Sequence, residues 1–218
     1  MALRDVDPGK YTPYGGAEQL FRCLDSEVLI EGPAGTGKTL SVLQKAHMLC
    51  EIYPGIRVLF IRKTLKSLRE SVLVTFEEEV LGPGHKAITG SATRAHRDSY
   101  TFPNGSHIVL AGIDTPSRHM STQFDYICIF EACECTEEDI EYLLTRCRNW
   151  KMPFQQLVCD TNPRQPSHWM NQRPERLMRV PDDPNLPAPP VGKKQMTRIL
   201  SRHRENPFLY DQVKKEWT

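Results

Sequence analysis

A chain of 218 residues, 39% hydrophobic and 25% charged, has the length and composition for one α/β domain with a sizeable core. Its formal net charge of +1 supplies no general field for a polyanion, so any nucleic-acid contact has to rest on a local patch. No apolar run approaches the ~18 residues of a membrane span, the N-terminus lacks a signal-peptide core, and seven cysteines without a framework spacing suit a reducing cytosol.

Turn-forming residues (Pro8, Gly9, Pro13, Gly15, Gly16) lead into a short helical pattern through Ala17, Leu20 and Phe21. Val28, Leu29 and Ile30 then read as a strand running into Gly32-Pro33-Ala34-Gly35-Thr36-Gly37-Lys38-Thr39, which satisfies the phosphate-loop pattern G-x-x-x-x-G-K-[ST]. Glycines let the backbone curl so that successive N–H groups face phosphate oxygens, and the helix that follows adds the positive end of its dipole. In this pattern Lys38 reaches the β- and γ-phosphates and the Thr39 hydroxyl sits on a magnesium ion. The stretch predicts an ATP-type nucleotide site with Mg2+ as its companion.

Leu40, Val42, Leu43, Ala46, Leu49 and Cys50 supply the apolar face of the next helix, and Pro54-Gly55 closes it. Residues 57–61 read as a buried parallel strand ending on Arg62-Lys63-Thr64, at the carboxyl edge where open α/β sheets bind ligands. A helical pattern covers residues 65–80, and residues 98–112 read as a hairpin around Pro103-Asn104-Gly105. A loop carrying Arg118 precedes a second buried strand, Phe124 to Phe130, which ends on Glu131. Thr136 caps a helical segment with an acidic start (Glu137, Glu138, Asp139) and a basic finish (Arg146, Arg148). A third strand, Gln156 to Cys159, ends in Asp160-Thr161-Asn162-Pro163. Strands alternating with helices over residues 27–163 predict a doubly wound, mostly parallel sheet with helices on both faces. Residues 181–192 are proline-rich and read as a loop or linker.

Hydrolysis requires a carboxylate to orient water, a metal shell and often an arginine against developing charge. Glu131 is the candidate water-activating acid. The position before it, where a metal-side acid is expected, holds Phe130, which leaves the magnesium shell unexplained. Thr161 and Asn162 stand where polar side chains can sense a γ-phosphate, or else stabilise a turn with Pro163. Arg118 is a candidate arginine finger. Cys128, Cys133 and Cys135 lack the spacing of a zinc site and read as small buried or half-buried thiols.

Taken in order, these motifs resemble the ATPase domain of tailed-phage large terminase subunits. The carriers are the segment Glu31 to Thr39, Arg62-Lys63-Thr64, Tyr100 to Ser106, Gly112-Ile113-Asp114, and Phe130-Glu131-Ala132 with Glu134. Asp160 to Pro163 with His168-Trp169, and His203 to Pro207, complete the set. The resemblance implies a RecA-like, phosphate-loop ATPase acting in the cytoplasm of an infected bacterial host. Its implied partners are double-stranded DNA, a portal protein, a small terminase subunit and further copies of itself in a homo-oligomeric ring, commonly a pentamer. It implies that Gly32 to Thr39 bind ATP, that Lys38 and Glu131 are catalytic, that Thr161 and Asn162 couple hydrolysis to movement, and that Arg62 and Lys63 contact phosphate or DNA. Arg118 falls in the loop expected to carry a trans-acting arginine. The implied organisation is an ATPase core over residues 1–178 and a lid or linker over 179–218, cut before a nuclease domain, so that DNA cleavage is not expected of this chain. A helicase, or a nucleotide-gated DNA-binding module in which Phe130 marks weakened hydrolysis, are the rival readings.

Overall fold

The structure, a computed structural model, describes residues 11–88, 93–114, 122–180, 185, 187–206, 210–211 and 216–217. Nine strands are described, β1 (Glu27–Glu31), β2 (Arg57–Arg62), β3 (Ser99–Thr101), β4 (His107–Gly112), β5 (Tyr126–Phe130), β6 (Gln156–Thr161), β7 (Thr197–Leu200), β8 (Tyr210–Asp211) and β9 (Glu216–Trp217). The main helices are α1 (Gly16–Arg22) and α2 (Lys38–Ile52), then a composite α3 in which Leu65–Ser67 and Leu73–Thr75 are α turns and Leu68–Val72 and Phe76–Leu81 are π turns. They are followed by α4 (Glu137–Leu144) and α5 (Trp169–Gln172).

Seven strands form one sheet in the order β3-β4-β2-β5-β6-β1-β7. All its pairings are parallel except β3 with β4, whose Pro103-Asn104-Gly105 turn makes the expected hairpin, with Gly105 at φ 84. β8 and β9 pair separately as a short antiparallel ribbon.

The strands read as near-continuous apolar runs because both faces of the sheet are covered. Alternation sends Val28, Ile30, Val58, Phe60, Cys128, Phe130 and Val158 to one face, under α2 and α3. Leu29, Leu59, Ile61, Ile127, Ile129, Leu157 and Cys159 go to the other, under Ile140 and Leu143 of α4 and Met170 of α5. Phe130 is 1% exposed and stacks edge-on against Phe60 at 5.5 Å. Its aromatic ring therefore serves the core.

Several boundaries move. The third strand runs to Thr161, so Asp160 and Thr161 are strand residues, not part of a turn. The helix expected through Arg148 stops at Leu144, and its capping box joins Thr136 to Asp139. The segment expected to be a lid or linker contributes β7, which pairs in parallel with β1 from Val28 to Glu31. Cys128 and Cys135 are buried, each in the apolar core on one face of the sheet.

Two buried cations tie layers together. Lys45 of α2 donates to Leu20 O (2.8 Å), Cys23 O (2.9 Å) and Gln156 Oε1 (2.7 Å), and burial pulls it down to about 8. Arg173, wholly buried, is paired through its Nε and Nη2 with Glu27 of β1 and through Nη1 with Glu137 (2.8 Å) and Glu141 (2.6 Å) of α4.

Candidate nucleotide-binding site

Glu31 ends β1, and the chain then curls through Gly35 (φ 78) and Gly37 (φ 83) before entering α2. Both values lie in the left-handed region that glycine enters without steric cost. α2 carries no side-chain cap at its N-terminus, so the first-turn N–H groups are left to an anion. Over this turn lies a cleft of about 1000 Å3 lined on one side by Ala34, Gly35, Gly37, Lys38, Thr39 and Leu40. Glu131, Asp160 and Asn162 face it from the ends of β5 and β6, and Tyr11, Tyr14, Gln44, Thr75, Glu79 and Asn206 stand among its other walls.

Strand order explains the convergence. β6 lies between β1 and β5, so its carboxyl end falls between the phosphate-loop residues and Glu131. Lys38 Nζ donates to Pro33 O (2.9 Å) and Asn162 Oδ1 (3.2 Å). Thr39 Oγ1 donates to Asp160 Oδ2 at 2.5 Å. Asp160 is 4% exposed, and burial raises its carboxyl to about 6, against the opposing pull of the Thr39 hydroxyl and the Lys38 charge. Burial lowers Lys38, while Asp160 and Glu131 pull it back up. Glu131 occupies the left-handed region at φ 49 and ψ 49. A non-glycine residue there stores strain of order 1–3 kcal/mol, and such strain concentrates at functional sites.

The loop is also held by residues that the motif does not contain. Ser201 N donates to Glu31 O (2.8 Å) and Ser201 Oγ to Thr36 O (3.2 Å). His203 Nε2 donates to Ala34 O (2.8 Å) and Asn206 Nδ2 to Gly35 O (3.0 Å). Three consecutive loop carbonyls, those of Ala34, Gly35 and Thr36, are thereby engaged by the segment that follows β7, and Asn206 also lines the cleft. A Cβ on Gly32 would stand 2.0 Å from Ser201 O, so the first glycine of the motif is required by close approach of this segment. Arg198 closes the arrangement through Glu31, with Nε to Oε1 at 2.7 Å.

Of the residues predicted from sequence, the structure brings Lys38, Thr39, Glu131 and Asn162 to one cleft. Thr161 is buried at the end of β6, with its hydroxyl donating to Asn162 O (3.2 Å). Arg62 does not line the cleft, because its guanidinium is held by Ser71 Oγ (2.9 Å) and Glu134 (3.4 Å). Lys63 does not line it either. Arg118 lies outside the described residues. Sequence reasoning missed the Asp160–Thr39 bond and the walls Tyr11 and Tyr14. Ser201 was unmarked, and His203 and Asn206 were marked only through the resemblance.

The family model for the phage terminase large subunit matches residues 26–218. No curated protein sequence matches the chain. Among solved structures, the large terminase of a thermophilic bacteriophage superposes with a TM-score of 0.64 at 15% identity, covering 93% of this chain and 49% of that one. The same terminase in complex with ADP gives a TM-score of 0.62 at 18% identity, over 87% of this chain and 44% of that one. The large terminase ATPase domain of Thermus phage P74-26 gives 0.59 at 15% identity, over 89% of this chain and 82% of that one. The chain thus spans about half the length of the large terminase chain it matches. At these identities the superpositions establish the fold, a mostly parallel sheet of the RecA-like kind. With the family model covering all but the first 25 residues, the chain belongs to the phage terminase large subunit family.

Proposed function

We propose that the chain is an ATP-hydrolysing motor unit that drives double-stranded DNA into a viral procapsid. The observation that supports this best is the convergence of Lys38, Thr39, Glu131, Asp160 and Asn162 on one cleft over an uncapped helix N-terminus, in a chain of the terminase family. Gly32 to Thr39 cradle the phosphates, with Lys38 on the β- and γ-phosphates. Glu131 orients the attacking water and accepts its proton, and its backbone conformation aims the carboxylate into the cleft. Tyr11 and Tyr14 offer aromatic surface to the base.

The oxygen donors here, a threonine hydroxyl and a buried carboxylate 2.5 Å apart, suit a hard divalent cation such as magnesium. Thr39 would hold that ion, which when bound neutralises phosphate charge. Lys38 and Asn162 supply the coupling. In the present geometry Lys38 Nζ rests on Asn162 Oδ1 at 3.2 Å. A γ-phosphate that captures the ammonium releases the Asn162 amide, so the tip of β6 and the adjoining Thr161 report whether triphosphate is present.

Packaging in the family's setting assigns the motor a portal protein, a small terminase subunit and a homo-oligomeric ring, a pentamer in the commonest arrangement, all in the cytoplasm of the infected host. The test is phosphate release from ATP with and without linear DNA. Wild-type protein turns over ATP, and Glu131→Gln lowers kcat at least about 100-fold while binding ATP. ATP binding without turnover under any DNA condition would turn the reading to a nucleotide-gated DNA-binding module.

A further inference from the structure

The strand that ends on Glu131 offers no acid at the position before it, because Phe130 is packed into the aromatic core beside Phe60. On the adjacent strand, Asp160 is the Cα partner of Phe130 in the parallel register, and alternation puts both side chains on the α2 face of the sheet. The carboxylate therefore stands one strand closer to the phosphate loop than an acid at position 130 would, since β6 pairs with both β5 and β1. Its partner is the Thr39 hydroxyl, 121 residues away in sequence.

We propose that Asp160 is the carboxylate of the cation site, supplying from β6 the charge that Phe130 withholds on β5. The inference rests on the nucleotide-binding reading above and adds which acid serves the ion. The chemistry asks for such a group. A phosphate-loop hydroxyl on a divalent cation is ordinarily fixed by an acid that accepts from it or shares a water with it. The Thr39 hydroxyl has such an acceptor in Asp160 Oδ2. Asp160 is also walled from solvent, so the charge it brings is poorly screened and acts strongly on a nearby cation. Glu131, one residue past the strand end on a separate turn, is left for the water.

Asp160→Asn keeps the shape and an acceptor for Thr39 while removing the charge. The measurements are ADP affinity by calorimetry with EDTA and with Mg2+, and Mn2+ binding to the ADP-loaded protein by electron paramagnetic resonance. Asp160→Asn is expected to keep its metal-free ADP affinity within about threefold of wild type and to weaken Mn2+ binding at least about tenfold. Glu131→Gln is expected to bind Mn2+ as wild type does. Unchanged Mn2+ affinity in Asp160→Asn, or its loss in Glu131→Gln instead, overturns the assignment. Fe2+ with ascorbate on the ADP-loaded wild-type protein checks it without any variant. Backbone cleavage is expected beside residues 39 and 160, and cleavage at 39 without 160 overturns it. Failure of the underlying nucleotide reading appears separately, as ADP binding that survives Lys38→Ala unchanged.

Discussion

Gly32→Ala tests the packing that holds the phosphate loop. The added Cβ would lie 2.0 Å from Ser201 O and 3.0 Å from Ser201 C, both backbone atoms, so no side chain can swing aside. Restoring ordinary contact at 3.4 Å requires the two backbones to separate by about 1.4 Å, the difference between 3.4 and 2.0 Å. Such a shift breaks the bonds from Ser201 N to Glu31 O and from Ser201 Oγ to Thr36 O. Overpacking costs about 1–3 kcal/mol and each of the two lost hydrogen bonds about 1 kcal/mol, which together predict a loss of roughly 3–5 kcal/mol. The displaced carbonyls also spoil the aim of the N–H groups, and ADP affinity is expected to fall at least about tenfold. Urea unfolding reads the first effect and calorimetry the second. Ser201→Ala, which loses only the Thr36 bond, is the control at about 1 kcal/mol. If Gly32→Ala matches that control in both stability and ADP affinity, the β7 exit does not clamp the loop and the reasoning is wrong.

Arg173→Met strands Glu27, which is 4% exposed, and is expected to cost about 3–5 kcal/mol in chemical denaturation. The double variant with Glu27→Leu recovers much of that loss, whereas a single variant within about 1 kcal/mol of wild type would refute the role of the buried network. His47 gives a pH signature. Burial, with His85 nearby, lowers it from 6.5 to about 4, so the unfolded chain takes up the proton first. Its contribution is complete above pH 6.5 and is lost as pH falls toward 4, amounting to about 3 kcal/mol at most. His47→Asn should flatten the urea midpoint across that window, and an unchanged slope contradicts the assignment.

The phosphate loop was legible because all its chemistry is local. Eight contiguous residues carry the two left-handed glycines, the lysine and the hydroxyl, and the apolar runs on either side name the strand and helix that flank them. The acid at the end of β5 was legible for the same reason. The Asp160 bond was not. Its partner Thr39 is 121 residues away, and the two meet only because β6 lies between β1 and β5, an order that hydrophobic periodicity does not encode. Arg62 looked free to meet phosphate as a strand-end cation, until Ser71 from α3 and Glu134 from the turn after β5 enclosed it.

Local pattern by itself determined the alternating α/β class, the phosphate-loop motif and the place of Glu131 at a strand end, because each depends on neighbours within a few residues. Tertiary structure decided the rest. It placed Phe130 in the core, gave Thr39 a carboxylate from another strand, and set Ser201, His203 and Asn206 against the loop carbonyls from the far end of the chain. The reason is physical. Which side chains share a sheet edge depends on strand order and register, and these are settled by how whole faces pack, not by the spacing of residues along any one element.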